Sequence, residues 1–150
     1  MKEKFYIAKS KICGCGIFAA RDLREREILF SFKGKLIEGN YQNPKYGLVW
    51  LQIGTKKWII PEGEGRWINH SCNPNAAVKG DRAFVTLRPI KKGDEITYDY
   101  STTEDPDYDK PVLAHCRCGA KECRKVIWGY SKLPVRWKRK YKNHISSWIK

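Results

Sequence analysis

The chain has 150 residues, with 30 Lys and Arg against 16 Asp and Glu, a formal charge of +14. That length predicts one domain, large enough to bury roughly two thirds of the surface its unfolded chain exposes, without a second core. No stretch reaches the ~20 apolar residues of a membrane span, and Met1-Lys2-Glu3-Lys4 with the short apolar run after it lacks the hydrophobic region of a signal peptide, so a soluble, intracellular chain with no membrane partner is expected.

Phe5-Tyr6-Ile7-Ala8 reads as a short strand. Cys13-Gly14-Cys15-Gly16 follows, with glycines that permit positive φ and close approach of backbone to a ligand. A plain tight turn between two strands explains it equally well. Glu27 to Ile37 and Leu48 to Ile53 carry β-branched and aromatic residues bounded by Gly, Asn and Pro; Trp58-Ile59-Ile60 continues the pattern, and Arg82 to Arg88 alternates as another strand. No 3.6-residue apolar period is sustained before the C-terminus, so the fold should be mostly β with few, short helices.

Three stretches carry chemistry rather than packing. Arg66-Trp67-Ile68-Asn69-His70-Ser71-Cys72-Asn73-Pro74-Asn75 is dense in side-chain donors and acceptors and turns sharply at Asn-Pro. Gly93-Asp94-Glu95-Ile96-Thr97-Tyr98-Asp99-Tyr100 reads as a turn feeding a strand whose two tyrosines, at i and i+2, share a face. Cys116-Arg117-Cys118-Gly119-Ala120-Lys121-Glu122-Cys123 holds three of the six cysteines. In an intracellular protein that density argues for a metal over disulfides, with reduced free thiols as the alternative. Three thiolates leave a closed zinc site one ligand short, and Cys72, His115, Cys13 and Cys15 are all candidates for the fourth.

Two runs of charge frame the end of the chain. Glu104-Asp105-Pro106-Asp107-Tyr108-Asp109 concentrates acids in a basic protein, either as a polar loop or as a local attraction for a Lys-rich peptide. From Arg124 to Lys150 there are nine Lys or Arg and no acid, with Trp137, Tyr141 and Trp148 interleaved. Either Ile145, Trp148 and Ile149 line a helical face packed on the body, or the basic, aromatic segment lies on nucleic acid.

In this order the stretches resemble the signature of SET-domain protein lysine methyltransferases, and the cysteine cluster resembles that family's post-SET zinc motif. Gly14-Cys15-Gly16-Ile17-Phe18-Ala19 and Leu87-Arg88-Pro89-Ile90-Lys91-Lys92-Gly93-Asp94-Glu95 match two further parts of the pattern. The resemblance implies small curved β-sheets with the Tyr100 segment threaded beside Asn69-His70 in a knot-like arrangement. It divides the chain into a SET domain at 1–110 with a variable insert at about 38–58, a post-SET segment at 111–130 and a basic tail at 131–150, with no pre-SET region. It implies methyl transfer from S-adenosylmethionine to lysine of a histone or another nucleic-acid-associated protein, in a nucleus or chromosome or otherwise the cytoplasm.

By the same resemblance Tyr100 is the catalytic tyrosine and Tyr98 sets how many methyl groups are added. Gly14, Cys15, Gly16, Phe32, Arg66, Asn69, His70, Tyr100, Ile127 and Trp128 border the cofactor, and Cys72 joins Cys116, Cys118 and Cys123 on structural zinc. Arg66 and Glu95 match a buried ion pair that ties the crossing segments together. Two departures stand out: Ser31-Phe32-Lys33-Gly34 occupies the place of Glu-Tyr-x-Gly, and Lys125 that of a glycine. Lysine methylation needs a neutral amine, which costs roughly 4.6 kcal/mol at pH 7 from a free pKa of ~10.4. A desolvated, aromatic-walled channel beside a sulfonium suits that chemistry. A non-catalytic, zinc-containing chromatin or nucleic-acid binding module is the competing function.

Overall fold

A computed structural model describes residues 3–39, 50–105 and 109–149. Much of the expected insert, the beginning of the expected Leu48–Ile53 strand, residues 106–108 of the acidic run and Lys150 lie outside the described residues.

Among the described residues nine short strands form three antiparallel sheets of three strands each. In the first, β1 (Phe5–Lys9) pairs with β2 (Cys15–Ala19), whose other edge takes β9 (Glu95–Ile96) in the register Ile17 to Ile96. The second sets β3 (Ile28–Ser31) and β7 (Ala76–Lys79) on either side of β8 (Ala83–Thr86). The third places β6 (Lys57–Pro61) between β4 (Gly34–Glu38) and β5 (Leu51–Gly54). As the absent helical period predicts, the described residues hold one short α-helix, α1 (Val135–Lys140).

The stretch Glu27 to Ile37, which reads as continuous strand, is broken between β3 and β4 and serves two sheets. Gly34 makes the break possible: at φ 150° it passes so close to β6 that a Cβ would lie 1.9 Å from the Ile60 carbonyl oxygen. Phe32, at the bend, is 1% exposed and packs edge-on against Phe84 (5.8 Å between ring centroids) and Phe30 (5.3 Å). Phe84 in turn meets Tyr98 at 5.9 Å. These rings join Ile17, Leu51, Ile59, Ile68, Val78 and Ile96 in the main core, where each fully buried aliphatic or aromatic side chain contributes about 1.5–3 kcal/mol.

The core's upper edge is made where two distant segments run alongside each other. His70 and Tyr98 form a parallel bridge, with Ser71 N–H donating to Tyr98 O (3.0 Å) and Tyr98 N–H to Asn69 O (3.3 Å). Beyond it, the Asn75 side chain imitates a strand: its amide donates to Glu95 O (2.8 Å) and accepts from Thr97 N–H (2.9 Å). Tyr100 does not continue the strand but opens a 3₁₀ turn, Tyr100–Thr102.

The C-terminal residues wrap over this crossing. Leu133, Trp137 and Tyr141 form a small core of their own with Tyr130 and Ile145, and Trp137 meets the Arg124 guanidinium, so α1 packs on the body. The segment beyond it is a run of turns and bends rather than a helix, held by Ser146 N–H to Thr102 O (2.9 Å) and by Trp148 Nε1–H, which reaches Gln52 O and Thr103 O at 3.1 Å each. The expected helical face of Ile145, Trp148 and Ile149 is therefore replaced by this strap, because backbone and indole donors find carbonyls there.

Candidate active site

Asn69 ties the glycine loop to the crossing. Its Nδ2 donates to Cys13 O (3.2 Å), Cys15 O (3.0 Å) and Glu95 Oε1 (2.8 Å), which leaves Oδ1 as the group to offer a ligand. Gly16 must lack a side chain, since a Cβ would fall 2.3 Å from Glu95 Oε1. Gly14 turns the loop at φ 49°.

His70 faces inward. Its Nδ1 accepts from Tyr100 N–H (3.1 Å), so the proton sits on Nε2, 3.3 Å from the Cys72 sulfur. Burial, reinforced by the positive Arg124, lowers its pKa to about 3, so the ring is neutral at physiological pH. Both ring nitrogens are thus committed within the protein, and only the His70 backbone remains for a ligand.

Tyr100 donates its hydroxyl proton to Ile68 O (2.8 Å), and its ring lies 4.9 Å from Tyr98 and 5.2 Å from His70. Although the strand ends before Tyr100, the two tyrosines stand side by side as their i, i+2 spacing predicts. Burial holds both phenols well above their ordinary pKa, so both remain protonated. The Tyr98 hydroxyl is buried next to the Thr103 hydroxyl but makes no hydrogen bond of ordinary geometry, while Thr103 Oγ1 donates to Tyr100 O (3.2 Å).

Beneath the tyrosines lies a buried ion pair, Arg124 Nη2 to Asp99 Oδ1 at 2.6 Å. The same guanidinium lies under the Trp137 ring at 5.3 Å, so α1 closes over the pair. Sequence reasoning assigned neither residue a role. The available signal was that the two signature stretches bring one acid and one base, Asp99 and Arg124, into otherwise buried surroundings.

Arg124 also follows the last cysteine, and its N–H points at the Cys72 sulfur (3.4 Å). Cys72, Cys116, Cys118 and Cys123 place all four sulfurs within 4.8 Å of one another, with Cys72 and Cys116 at 4.0 Å. Tetrahedral zinc with Zn–S of ~2.3 Å separates its sulfurs by about 3.8 Å, so this donor set fits the ion. Burial raises the Cys118 pKa, but backbone N–H groups of Cys72 and Ala120 outweigh it and bring the thiol down to about 7. Cys13, Cys15 and His115 lie outside the cluster.

Other expected positions fall differently. Arg66 lies in a 3₁₀ turn (Gly63–Trp67) with its side chain exposed, 5.8 Å over Trp67. It does not pair with Glu95, whose carboxylate is taken by Ser10 Oγ (2.8 and 2.9 Å) and Asn69; the expected buried pair is the one between Asp99 and Arg124 instead. Ile127 is fully buried against the cysteines, with N–H and C=O both bonded to Leu113, so it is a core residue and not an accessible wall. Trp128 does line a cavity of about 300 Å³, with Ser101, Arg124, Val126, Lys132, Leu133 and Pro134. Lys125 adopts φ 66°, the left-handed region that explains why glycine suits this position.

Three small antiparallel sheets closed by a crossing of two distant segments define a mostly β fold of an uncommon kind. A family model described as SET domain matches residues 14–101, and the chain belongs to the SET-domain family. Histone-lysine N-methyltransferase 2D of Homo sapiens is 32% identical over 142 residues, covering 83% of this chain and 2% of its own. Histone-lysine N-methyltransferase trr of Drosophila melanogaster is 32% identical over 143 residues, covering 83% and 6%. The chain therefore spans a small fraction of the length of these relatives. The solved structure of ctPRC2 in an autoinhibited conformation bound to S-adenosylmethionine is similar in fold, with a TM-score of 0.59 and 22% identity over 69% of this chain and 16% of that one.

Proposed function

We propose that this domain transfers methyl groups from S-adenosylmethionine to lysine side chains of a histone tail or another nucleic-acid-associated protein, adding mainly one or two per lysine. The observation that supports it most is the crossing itself, which brings the glycine loop, Asn69, His70, Tyr98 and Tyr100 together from residues up to 87 apart in sequence. In this reading Gly14, Cys15, Gly16, Asn69 Oδ1, the His70 backbone and Trp128 border the cofactor, with Arg66 and Phe32 at its margins. The cofactor supplies an electrophilic methyl group when bound. Tyr100 orients the amine through its hydroxyl, which in the free protein rests on Ile68 O, and the apolar walls exclude water. Zinc on the four cysteines would clamp residues 111–130 against the Asn69–Cys72 segment.

The exposed Lys132, Arg136, Arg139, Lys140 and Lys142 favour contact with nucleic acid and a nuclear or chromosomal setting. Among the described residues no helix is long and apolar enough to cross a membrane. Incubation with tritiated S-adenosylmethionine and mixed histones should label lysines, read by mass spectrometry. Calorimetric cofactor binding without any transfer would favour the non-catalytic binding module.

A further inference from the structure

Glu104 lies four residues beyond Tyr100, and its backbone is fixed from two sides. Its N–H donates to Tyr100 O (3.0 Å) and its carbonyl accepts from Tyr130 N–H (2.8 Å). The residue is 7% exposed, yet among the described residues its carboxylate has no hydrogen-bond or ion-pair partner. An isolated carboxylate in such a place is costly, and in a chain with 30 Lys and Arg a structural partner would be easy to supply. The Tyr98 hydroxyl beside it is likewise buried and unpaired, and the two tyrosine rings touch at 4.9 Å. The carboxylate's charge acts on both phenols, and burial pushes its own pKa up to about 8. Two polar groups without protein partners among the described residues, set against an aromatic pair, suit a small cation with N–H donors.

We infer that Glu104 is the counter-ion of the substrate lysine: its carboxylate holds the ammonium group against Tyr98 and Tyr100. The inference rests on the lysine-methylating reading and adds a residue to it. It also accounts for how a protein of charge +14 accepts a cationic side chain. A carboxylate made basic by burial can further take the proton that must leave before methylation. The Nζ–H bond breaks and an Oε–H bond forms, leaving a neutral amine beside a neutral acid. The amine lone pair then bonds the methyl carbon of S-adenosylmethionine as its C–S bond breaks, the positive charge passes to nitrogen, and S-adenosylhomocysteine is left. Glu104 loses its proton to solvent once the positively charged methylated lysine has formed beside it, since that charge favours the carboxylate.

The test compares the unaltered protein, Glu104→Gln and Glu104→Asp on a synthetic histone-tail peptide made with one lysine and again with neutral norleucine in its place. The expected result is a KM for the lysine peptide raised at least tenfold in Glu104→Gln and partly restored in Glu104→Asp. Norleucine-peptide affinity and calorimetric S-adenosylmethionine binding should stay within twofold, and the melting temperature should be close to equal at neutral pH, where the free protein keeps Glu104 largely protonated, and higher on the alkaline side. A KM and kcat within twofold of the unaltered protein would overturn the inference. So would equal weakening of both peptides, which marks a structural role. Absence of transfer by the unaltered protein to any histone would instead overturn the reading beneath it, and the inference with it.

Discussion

Tyr100 and Tyr98 share a wall of the site but differ in how they are held. The Tyr100 hydroxyl donates to a backbone carbonyl and can exchange that bond for one to a substrate amine, whereas the Tyr98 hydroxyl has no bond to give up. Tyr100→Phe should therefore leave melting temperature and cofactor affinity nearly unchanged while lowering kcat about a hundredfold or more, since one positioned hydroxyl is typically worth that much. Retained turnover would remove Tyr100 from the chemistry. Tyr98→Phe discards a buried unpaired hydroxyl, so it should raise stability by about 1 kcal/mol and shift products from mono- and dimethyl- toward trimethyl-lysine. Mass spectrometry after long incubation reads the second effect, and abundant trimethylation by the unaltered protein would show that other walls set the limit. At this scale the sequence is informative where spacing alone fixes geometry, as for these tyrosines. It is silent where a residue works by standing in for something else, as Asn75 does for a backbone pair.

Among the elements, the cysteine cluster couples two parts of the chain that share no sheet. Cys72 belongs to the crossing, Cys116, Cys118 and Cys123 to the segment behind it, and Arg124 is bonded both to Cys72 and to Asp99. Elemental analysis should find one zinc per chain, with Cys72→Ser weakening retention against a chelator as much as Cys118→Ser does. Normal retention by Cys72→Ser would exclude it as a ligand. The cluster was legible because cysteines close in sequence have few other uses in a reducing setting, but its fourth member was open until the fold brought Cys72 in. The Glu27 to Ile37 stretch is the opposite case, since its β-forming residues divide between two strands of different sheets. Gly34 alone interrupts its β-forming composition, and the constraint there is a carbonyl on β6, 26 residues away.

For the whole molecule, charge and burial pull against each other at two places. The first is the C-terminal segment, whose packed face holds Trp137 over Arg124 while its other face carries exposed Lys and Arg. Deleting residues 131–150 would unseat that packing and confuse partner with fold. Replacing Arg136, Arg139 and Lys142 by Gln should instead spare melting temperature and flatten the salt dependence of duplex DNA binding, by roughly one unit of slope per lost phosphate contact. An unchanged slope would leave these residues a merely solvated face. The second place is Glu104, whose pKa rises from 4.5 in the open chain to about 8 in the fold. The folded state then holds the proton more tightly, so this group's contribution to stability is complete below pH 4.5 and is lost as pH rises through 8. Unfolding curves of Glu104→Gln and the unaltered protein should diverge over that interval, the variant gaining on the alkaline side by an amount on the order of a few kcal/mol. Parallel curves would show that water reaches the carboxylate.

The pairing of β2 with β9, Ile17 against Ile96, also bears on how the protein is made. A nascent chain that has emerged as far as β8 already contains the glycine loop and Asn69-His70, yet it lacks β9, the tyrosines and three of the four clustered cysteines. Until they arrive the open edge of β2 and the donors of the Asn69 segment stay uncovered, exposed to whatever strand passes by. Closure across so long a loop is slow, in the millisecond-to-second range of non-local β proteins. The candidate site is thus completed only after β9 and the cysteines that follow it have been made, and chaperone protection would matter most in the interval just before that.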